Sequence, residues 1–586
     1  MKILLTAINA KYIHSNLAVY CLKAYAKEHL QKEADIQIAE YTINQQTEDI
    51  MMDIYERRPD VLCLSCYIWN LQYVEAIVRE IAKVRPDMPI WLGGPEVSYD
   101  AEDVLKRLPQ VKGVMKGEGE KTFFELCDTY LSKEQDSCMS LDEKLKTIDG
   151  ITFRGQYSLE NMEDTQTEII ANPWRMPMDL SEVPFIYQDM ADFEHKIIYY
   201  ETSRGCPFSC SYCLSSIDKK LRFRNLELVK KELQFFIDHK VPQVKFVDRT
   251  FNCKHEHSMA IWSYIKEHDN GVTNFHFEVS ADILNDEEIA LIKTMRPGLM
   301  QLEIGVQSTN QDTNREIHRT RNFEKLGAIV ERIHAGKNVH QHLDLIGGLP
   351  YDNLESFAIS FDDVFALKPH QLQLGFLKVL KGSYMEQQKE AYGLVYQSTP
   401  PYEVLFTKWI SYEEVLRLKG IEEMVEVYYN SRQFEHTLAA LEQEFDSMFV
   451  MYEKIWDYYK ERELHKVQHK RSSRYEILLG FITERFPEKQ AYYRELLTYD
   501  YYLRENAKTR PAFAGENALT KEIARAFYEK EAEERTYLPD YKQYDKNQMR
   551  KMTHLEYFKE LDQIVLFDYL TRNPLNQEAR TCVLKK

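Results

Sequence analysis

No run of apolar residues in this 586-residue chain approaches the roughly twenty that a bilayer-crossing helix needs. The amino terminus, Met1-Lys2-Ile3-Leu4-Leu5, enters a short strand pattern and lacks the layout of a secretory leader. Cysteine is sparse, with ten residues in the whole chain, so a disulfide framework is not expected and a reduced cytoplasm fits. Basic charge is in deficit. Lys and Arg number 75 against 93 Asp and Glu, a net charge of −18. That balance disfavours a broad electrostatic grip on nucleic acid or an anionic membrane, but leaves room for a local basic groove. Gly-x-Gly-x-x-Gly does not follow the first strand pattern, so the dinucleotide fingerprint is missing. The length is too great for one ordinary core, and about three domains are expected.

Three cysteines stand together in Cys206-Pro207-Phe208-Ser209-Cys210-Ser211-Tyr212-Cys213. This spacing lets a single loop reach three corners of an iron–sulfur cube, for which thiolates are suited ligands. No fourth cysteine lies close by, so one iron is expected to stay open to a small molecule. On spacing alone, a partial zinc site or three unrelated thiols compete with the cluster. The spacing, with an aromatic residue before the last cysteine, resembles the radical S-adenosylmethionine (radical SAM) enzymes. In that family the open iron chelates SAM, whose reductive cleavage yields a 5′-deoxyadenosyl radical. The resemblance implies a [4Fe-4S] cluster on Cys206, Cys210 and Cys213, with Phe208 and Tyr212 beside the SAM. It also implies an electron donor such as flavodoxin or ferredoxin and an oxygen-poor setting.

Residues 1–145 alternate strand and helix patterns. Strands are expected at Ile3–Ile8, Ile36–Tyr41, Val61–Ser65, Ile90–Leu92 and Val111–Met115. Helices are expected at Leu17–Leu30, Thr47–Arg57, Leu71–Val84, Asp103–Leu108 and Thr122–Leu131. This βα rhythm predicts a doubly wound, Rossmann-like parallel sheet. The strand ends carry Asn9 to Asn16, Ser65, Gly93-Gly94 and Gly117-Glu118-Gly119-Glu120. Loops there bind flat or phosphate-bearing ligands, and glycine lets the backbone approach closely. The Gly93-Gly94-Pro95-Glu96 and Gly117 to Phe123 stretches resemble the cobalamin-binding domain that precedes the core of many radical SAM enzymes. By that resemblance Asn9, Ser65, Gly93, Gly94, Gly117 and Glu118 contact cobalamin. The Asp-x-His-x-x-Gly motif that supplies a cobalt ligand elsewhere is absent, and His14 reads as a polar loop residue. Cys63 and Cys66 read as buried packing side chains rather than a redox pair.

Residues 146–195 read as a connector. Ser132 to Lys146 is polar and irregular, Ile148–Phe153 is a candidate strand, and Pro173, Pro177 and Pro184 mark an extended, ordered segment. The core, 196–405, resumes the βα rhythm with strands at Ile197–Thr202, Gln243–Asp248, Phe275–Ser280, Leu299–Ile304, Gln341–Ile346 and Gln371–Lys378. Six strands suit the open (βα)6 partial barrel of radical SAM proteins. By resemblance Asp248, Glu278, Gln307 and Ser308, all at strand ends, contact SAM. Cys253 reads as a free structural thiol.

Residues 406–586 read as all-α. Ser411-x-x-Glu414 and Ser473-x-x-Glu476 resemble capping boxes. Helices are expected at Glu435–Trp456, Gln490–Arg504, Leu519–Glu534 and Thr553–Glu560. The many tyrosines read as half-buried packing residues with wet hydroxyls. Asp500-Tyr501-Tyr502-Leu503-Arg504 and Thr509-Arg510-Pro511 resemble a C-terminal extension found in one subgroup of these proteins, with no assigned activity. It is expected to cover the barrel opening.

These readings combine into a cobalamin-dependent radical SAM enzyme, foremost a methyltransferase acting on an unactivated carbon of an unknown substrate. An oxidative cyclase or rearrangement enzyme is the alternative on the same cofactors. A non-catalytic cobalamin-binding or sensing protein is the alternative from another class, and the intact cysteine triad argues against it. A methylthiotransferase is disfavoured, because Cys21, Cys63 and Cys66 lack the spacing of a second cluster. No membrane partner is expected, nucleic acid is disfavoured, and no substrate acid, base or hydrogen donor can be named.

Overall fold

A computed structural model describes residues 1–132, 139–157, 166–319, 322–517 and 519–584. Part of the polar stretch from Ser132 to Lys146 therefore lies outside the described residues.

The first sheet has seven strands in the order β2-β1-β3-β4-β5-β6-β7. They are β1 Lys2–Asn9, β2 Asp35–Thr42, β3 Val61–Ser65, β4 Ile90–Gly93, β5 Gly113–Met115, β6 Ile151–Tyr157 and β7 Gln166–Ala171. The first five are parallel, with the order reversing between β1 and β3. In such sheets ligands bind outside the carboxyl ends, at that reversal. Residues 3–9 of β1 are all buried because helices cover both faces of the central strands, which is why the strand reads as a continuous apolar run. The helices fall where periodicity places them: Leu17–His29, Thr47–Arg57, Leu71–Val84, Ala101–Arg107 and Glu120–Leu131.

The sheet continues past residue 145. β6 pairs antiparallel with β5, and β7 with β6, so the start of the expected connector belongs to this sheet. Ile151 and Phe153 are fully buried and anchor it. The connector beyond is extended and ordered. Arg224 Nη1 donates to the carbonyls of Leu180 at 2.7 Å and Val183 at 2.8 Å. Asn172 Nδ2 donates to Leu145 O at 2.8 Å and Ile148 O at 2.7 Å.

The second sheet has six parallel strands in chain order: Ile198–Tyr200, Gln243–Phe246, Asn274–Val279, Met300–Gln307, Val339–Gly347 and Gln371–Phe376. The first and last stand at opposite edges, so the barrel is open. Along the fourth strand burial alternates: Met300, Leu302, Ile304 and Val306 are buried under the helices, and Gln301, Glu303, Gly305 and Gln307 line the interior.

The C-terminal region departs from expectation in four places. Glu435–Trp456 is two helices, Glu435–Leu441 and Met448–Glu461, with Ser447 capping the second. Ser473 lies inside the helix Arg471–Arg485, which begins too early for a capping box at 473, whereas the Ser411 box forms. Thr553–Glu560 is not helical. Thr553–Phe558 pairs with Gln563–Arg572, and that strand with Ala579–Leu584, in a three-stranded antiparallel sheet. The region is therefore helical only as far as Met552. Alternation in Thr553-His554-Leu555-Glu556-Tyr557-Phe558 and β-branched residues in the next strand outweigh its weak helical period. Lastly, several tyrosine hydroxyls are dry. Tyr428 and Tyr459 bond each other at 2.7 Å, and Tyr475 donates to Gln433 O at 3.1 Å.

This region closes the barrel's free edge. The Asn430 side chain accepts from Leu372 N at 2.9 Å and donates to Leu372 O at 2.8 Å. One amide thus imitates the missing ladder neighbour of the last strand.

Candidate functional site

The carboxyl ends of the first sheet gather the expected residues. Asn9 is buried at the end of β1, and its Nδ2 donates to His14 O at 3.0 Å and Glu40 Oε1 at 2.9 Å. Ser65 Oγ accepts from Asn16 Nδ2 at 3.2 Å. Gly94 has φ +115°, and a Cβ there would stand 2.4 Å from Cys66 O, so the close approach requires glycine. Gly93 has room for a Cβ, at ordinary contact distance from Met115. Gly117 has φ +70° and faces Trp174. Glu118 turns toward the connector and core, accepting from Met178 N at 3.1 Å and pairing with Arg222 at 2.6 Å. His14 Nδ1 lies 2.6 Å from the Tyr199 hydroxyl, so its polar role is a bond to the first barrel strand. Tyr67 and Trp69 stack at 4.5 Å just beyond β3, with Trp69 exposed. Neither was singled out in the sequence, although two aromatics directly after a buried strand are a readable signal. Cys63 and Cys66 are both fully buried. Burial pushes the Cys63 thiol up to about 12 and the Cys66 thiol higher, consistent with packing.

In the barrel, the cysteine loop follows the first strand. Gly205, with φ +89°, places its missing Cβ 2.7 Å from Lys220 O, and Cys206 N donates to Asp218 O at 3.3 Å. Cys213 N donates to Cys210 O at 3.2 Å, and Ser211 N to Ile317 O at 3.0 Å. Cys206 and Cys210 are buried and Cys213 is half-buried. Among the described residues no three His, Cys, Asp or Glu side chains converge on one metal ion. A cubane needs no such convergence, since each thiolate takes a different iron, and three thiols on one loop fit that donor set. Cys253 is half-buried, its thiol pushed up to about 11 by burial.

The four strand-end residues divide into two pairs. Asp248 is fully buried and spent on the chain itself: it accepts from Thr202 N at 3.1 Å, Thr202 Oγ1 at 2.7 Å and Ser203 Oγ at 2.6 Å. Burial outweighs those bonds and pushes its carboxyl up to about 6. Asp248 therefore braces the turn that leads to Cys206. Ser308 is likewise buried, its Oγ accepting from Asn310 N at 3.1 Å. Glu278 and Gln307 instead line the interior. Burial pushes Glu278 up to about 7, with Arg249 opposing. Gln307 sits at a bulge with φ +75°, and its buried Oε1 has no partner among the described residues.

Arg319 joins this group without any sequence signal. Its Nη1 donates to the Tyr212 hydroxyl at 3.2 Å and approaches Cys210 Sγ at 3.7 Å, and its Nη2 donates to Gly305 O. Its Nε is buried without a partner among the described residues. A guanidinium fork of this kind suits a carboxylate.

Deeper in the barrel lies a charged layer. Lys245 Nζ donates to Glu303 Oε2 at 3.2 Å, His276 Nε2 stands 3.0 Å from the same oxygen, and His342 Nε2 is 3.0 Å from Asp344 Oδ1. Burial raises the Glu303 carboxyl, but His276, Lys245 and His342 outweigh it and hold the group at about 2.

The two edges face each other. Ile197 N donates to Ile13 O at 2.8 Å, and Lys381, beyond the last barrel strand, pairs with Asp100 at 2.9 Å.

Three family descriptions cover most of the chain: a B12 binding domain over residues 3–127, the radical SAM superfamily over 200–364, and a protein of unknown function (DUF4080) over 390–580. The chain thus carries a B12 binding domain ahead of a radical SAM domain, followed by the DUF4080 region. Among curated proteins it is 27% identical over 315 residues to 2-(S-pantetheinyl)-carbapenam-3-carboxylate methyltransferase of Streptantibioticus cattleyicolor, covering 51% of this chain and 44% of that one. It is 27% identical over 362 residues to the cobalamin-dependent radical SAM methyltransferase TokK of Streptomyces tokunonensis, covering 57% and 50%. The chain thus spans about half the length of the curated relatives it matches. Among solved structures it resembles OxsB with aqua-cobalamin bound, with TM-score 0.57 at 15% identity over 86% of this chain and 73% of that one. It also resembles TsrM of Kitasatospora setae with cobalamin and a [4Fe-4S] cluster bound, with TM-score 0.52 at 15% identity over 68% and 78%. At these identities the structural likeness concerns the fold.

Proposed function

We propose that this chain is a cobalamin-dependent radical SAM methyltransferase acting on an unactivated carbon. The observation that carries the reading is the apposition of two carboxyl edges, one with a glycine cradle at Gly94, the other with a thiol triad beside a buried guanidinium. Bound there, the cluster and SAM supply a carbon-centred radical and cobalamin carries the methyl group. Cys206, Cys210 and Cys213 hold the cluster. Arg319 binds the SAM carboxylate, Tyr212 orients that guanidinium, and Glu278 and Gln307 offer the interior groups that orient SAM. Asp248 and Ser308 act behind them by fixing the loops. Asn9, Ser65, Gly93, Gly94 and Gly117 form the cobalamin cradle. The layer of Lys245, His276, Glu303, His342 and Asp344 receives the polar part of the substrate. An external low-potential donor of the flavodoxin or ferredoxin type reduces the cluster, and the setting is cytoplasmic. No helix among the described residues is long and apolar enough to cross a membrane.

The test is anaerobic purification with cobalamin supplied and the cluster reconstituted, then incubation with SAM and a low-potential reductant. Both 5′-deoxyadenosine and S-adenosylhomocysteine should form, with 5′-deoxyadenosine lost in Cys210→Ala. Formation of 5′-deoxyadenosine alone, with cobalamin bound, would shift the assignment to ring closure or rearrangement. No retained iron, with the variant matching the unaltered protein, would sink the cluster assignment.

A further inference from the structure

We infer that Arg204 and Arg222 tie the cysteine loop to the Gly117-Glu118-Gly119-Glu120 turn as one rigid unit, and that this ion cluster sets the separation of the iron–sulfur cluster from cobalamin. The inference rests on the functional reading above and concerns positioning residues.

Arg204 lies two residues before Cys206. Its Nη2 bonds Glu120 Oε1 at 2.5 Å, its Nε bonds Glu201 Oε2 at 2.9 Å, and its Nη1 stands 3.7 Å from Glu118 Oε2. Arg222 is directly opposite Arg204 on a two-stranded antiparallel ladder. Its Nη2 lies 2.6 Å from Glu118 Oε1 and 2.8 Å from Asp218 Oδ2, and its Nη1 donates to Met178 O at 2.9 Å. Two guanidinium groups side by side therefore meet both glutamates of the turn. The same end of the ladder is locked to the cysteine loop, because Gly205 and Cys206 pack on the backbone of Lys220 and Asp218.

The chemistry favours rigidity. Glu120 is 5% exposed and opens the helix Glu120–Leu131, so the pair is taken out of water at a helix start. Arg204 lowers the Glu120 carboxyl despite its burial. Removing one partner would strand a buried charge. Planar forks fix direction as well as distance, which a lysine cannot do. The turn borders the cobalamin cradle through Gly117, and Arg204 lies two residues from Cys206, so the ion pairs join the two segments directly. Two motifs from different domains, Gly-Glu-Gly-Glu and Ser-Arg-Gly-Cys, are thus halves of one device.

Arg204→Lys, Arg204→Gln and Glu120→Gln would be reconstituted as full-length holoprotein. Iron and cobalamin content would be measured, then the microwave power that half-saturates the cob(II)alamin resonance, with the cluster reduced and oxidised. A nearby reduced cluster speeds relaxation of the cobalt spin, steeply with separation. With both cofactors retained, the half-saturation power in Arg204→Gln should fall toward its value with the cluster oxidised, with Arg204→Lys between the two. S-adenosylhomocysteine formed per 5′-deoxyadenosine should drop by about 100-fold, the scale of a 1 Å misplacement. Unchanged relaxation and product ratio in these variants would overturn the inference. If Arg204→Gln does not fold, Arg204→Lys and Glu120→Gln decide it by the same readings. No cluster signal in the unaltered protein would instead overturn the functional reading, and this inference with it.

Discussion

Arg319 Nη1 stands 3.2 Å from the Tyr212 hydroxyl and 3.7 Å from Cys210 Sγ, so one buried guanidinium links the cysteine loop to the far side of the barrel. Its third contact, to Gly305 O, is on the fourth strand. Arg319→Gln is expected to weaken SAM binding by about 2 kcal/mol or more, some thirty-fold in Kd. Arg319→Lys should recover only part, because a point charge replaces a fork. Equilibrium binding of SAM to the reconstituted protein checks this, and unchanged affinity in Arg319→Gln would remove the residue from the SAM site.

Gly94→Ala should be damaging out of proportion to one methyl group. The added Cβ meets a backbone oxygen, Cys66 O, at 2.4 Å, and φ +115° is strained for any L side chain. A cost of about 2 kcal/mol or more is expected from the conformation alone. Urea unfolding should register it, and cobalamin titration by absorbance should show weaker binding. Gly93→Ala, with only ordinary contacts, is the control.

Asp248 gives a pH dependence with a definite sign. Its carboxyl titrates near 6 when folded against an ordinary value of 3.8. The folded chain therefore binds the extra proton between those values. The contribution favours folding below the lower value and is lost as pH rises through about 6. Relative to Asp248→Asn, the unaltered protein should lose about 2 kcal/mol of stability between pH 4 and 7. Denaturant midpoints of both proteins across that range would test it, and a constant difference would contradict the assignment.

Asp500 is a buried helix cap rather than a chemical group. It accepts from His436 N at 3.0 Å, Thr437 N at 2.9 Å and Thr437 Oγ1 at 2.7 Å. Asp500→Ala should cost about 2–4 kcal/mol by leaving those donors unpaired at the start of Glu435–Leu441. The loss should appear as a lower denaturation midpoint with cofactor content unchanged.

Much of the fold was legible because local signals and burial agree. Every parallel strand of both sheets lies where an apolar run or alternation placed it, since βα units are built from short connections. The glycine at 94 stood out as a backbone device. The C-terminal misreadings have a common cause: Thr553–Phe558 is a strand only because Gln563–Arg572 pairs with it, and pairing partners do not register in a helical period.

The sequence by itself determined the order of the parallel strands and their helices, the thiol loop and the glycine turns, because spacing and the conformational freedom of glycine are local properties of the chain. Only the tertiary structure decided that Asp248 and Ser308 face their own loops, that Glu278, Gln307 and Arg319 face the interior, and that Glu118 pairs with Arg222. Those outcomes depend on which carboxylate a distant hydroxyl or guanidinium reaches first, and contacts 46 residues apart, as between Thr202 and Asp248, leave no mark on spacing or composition.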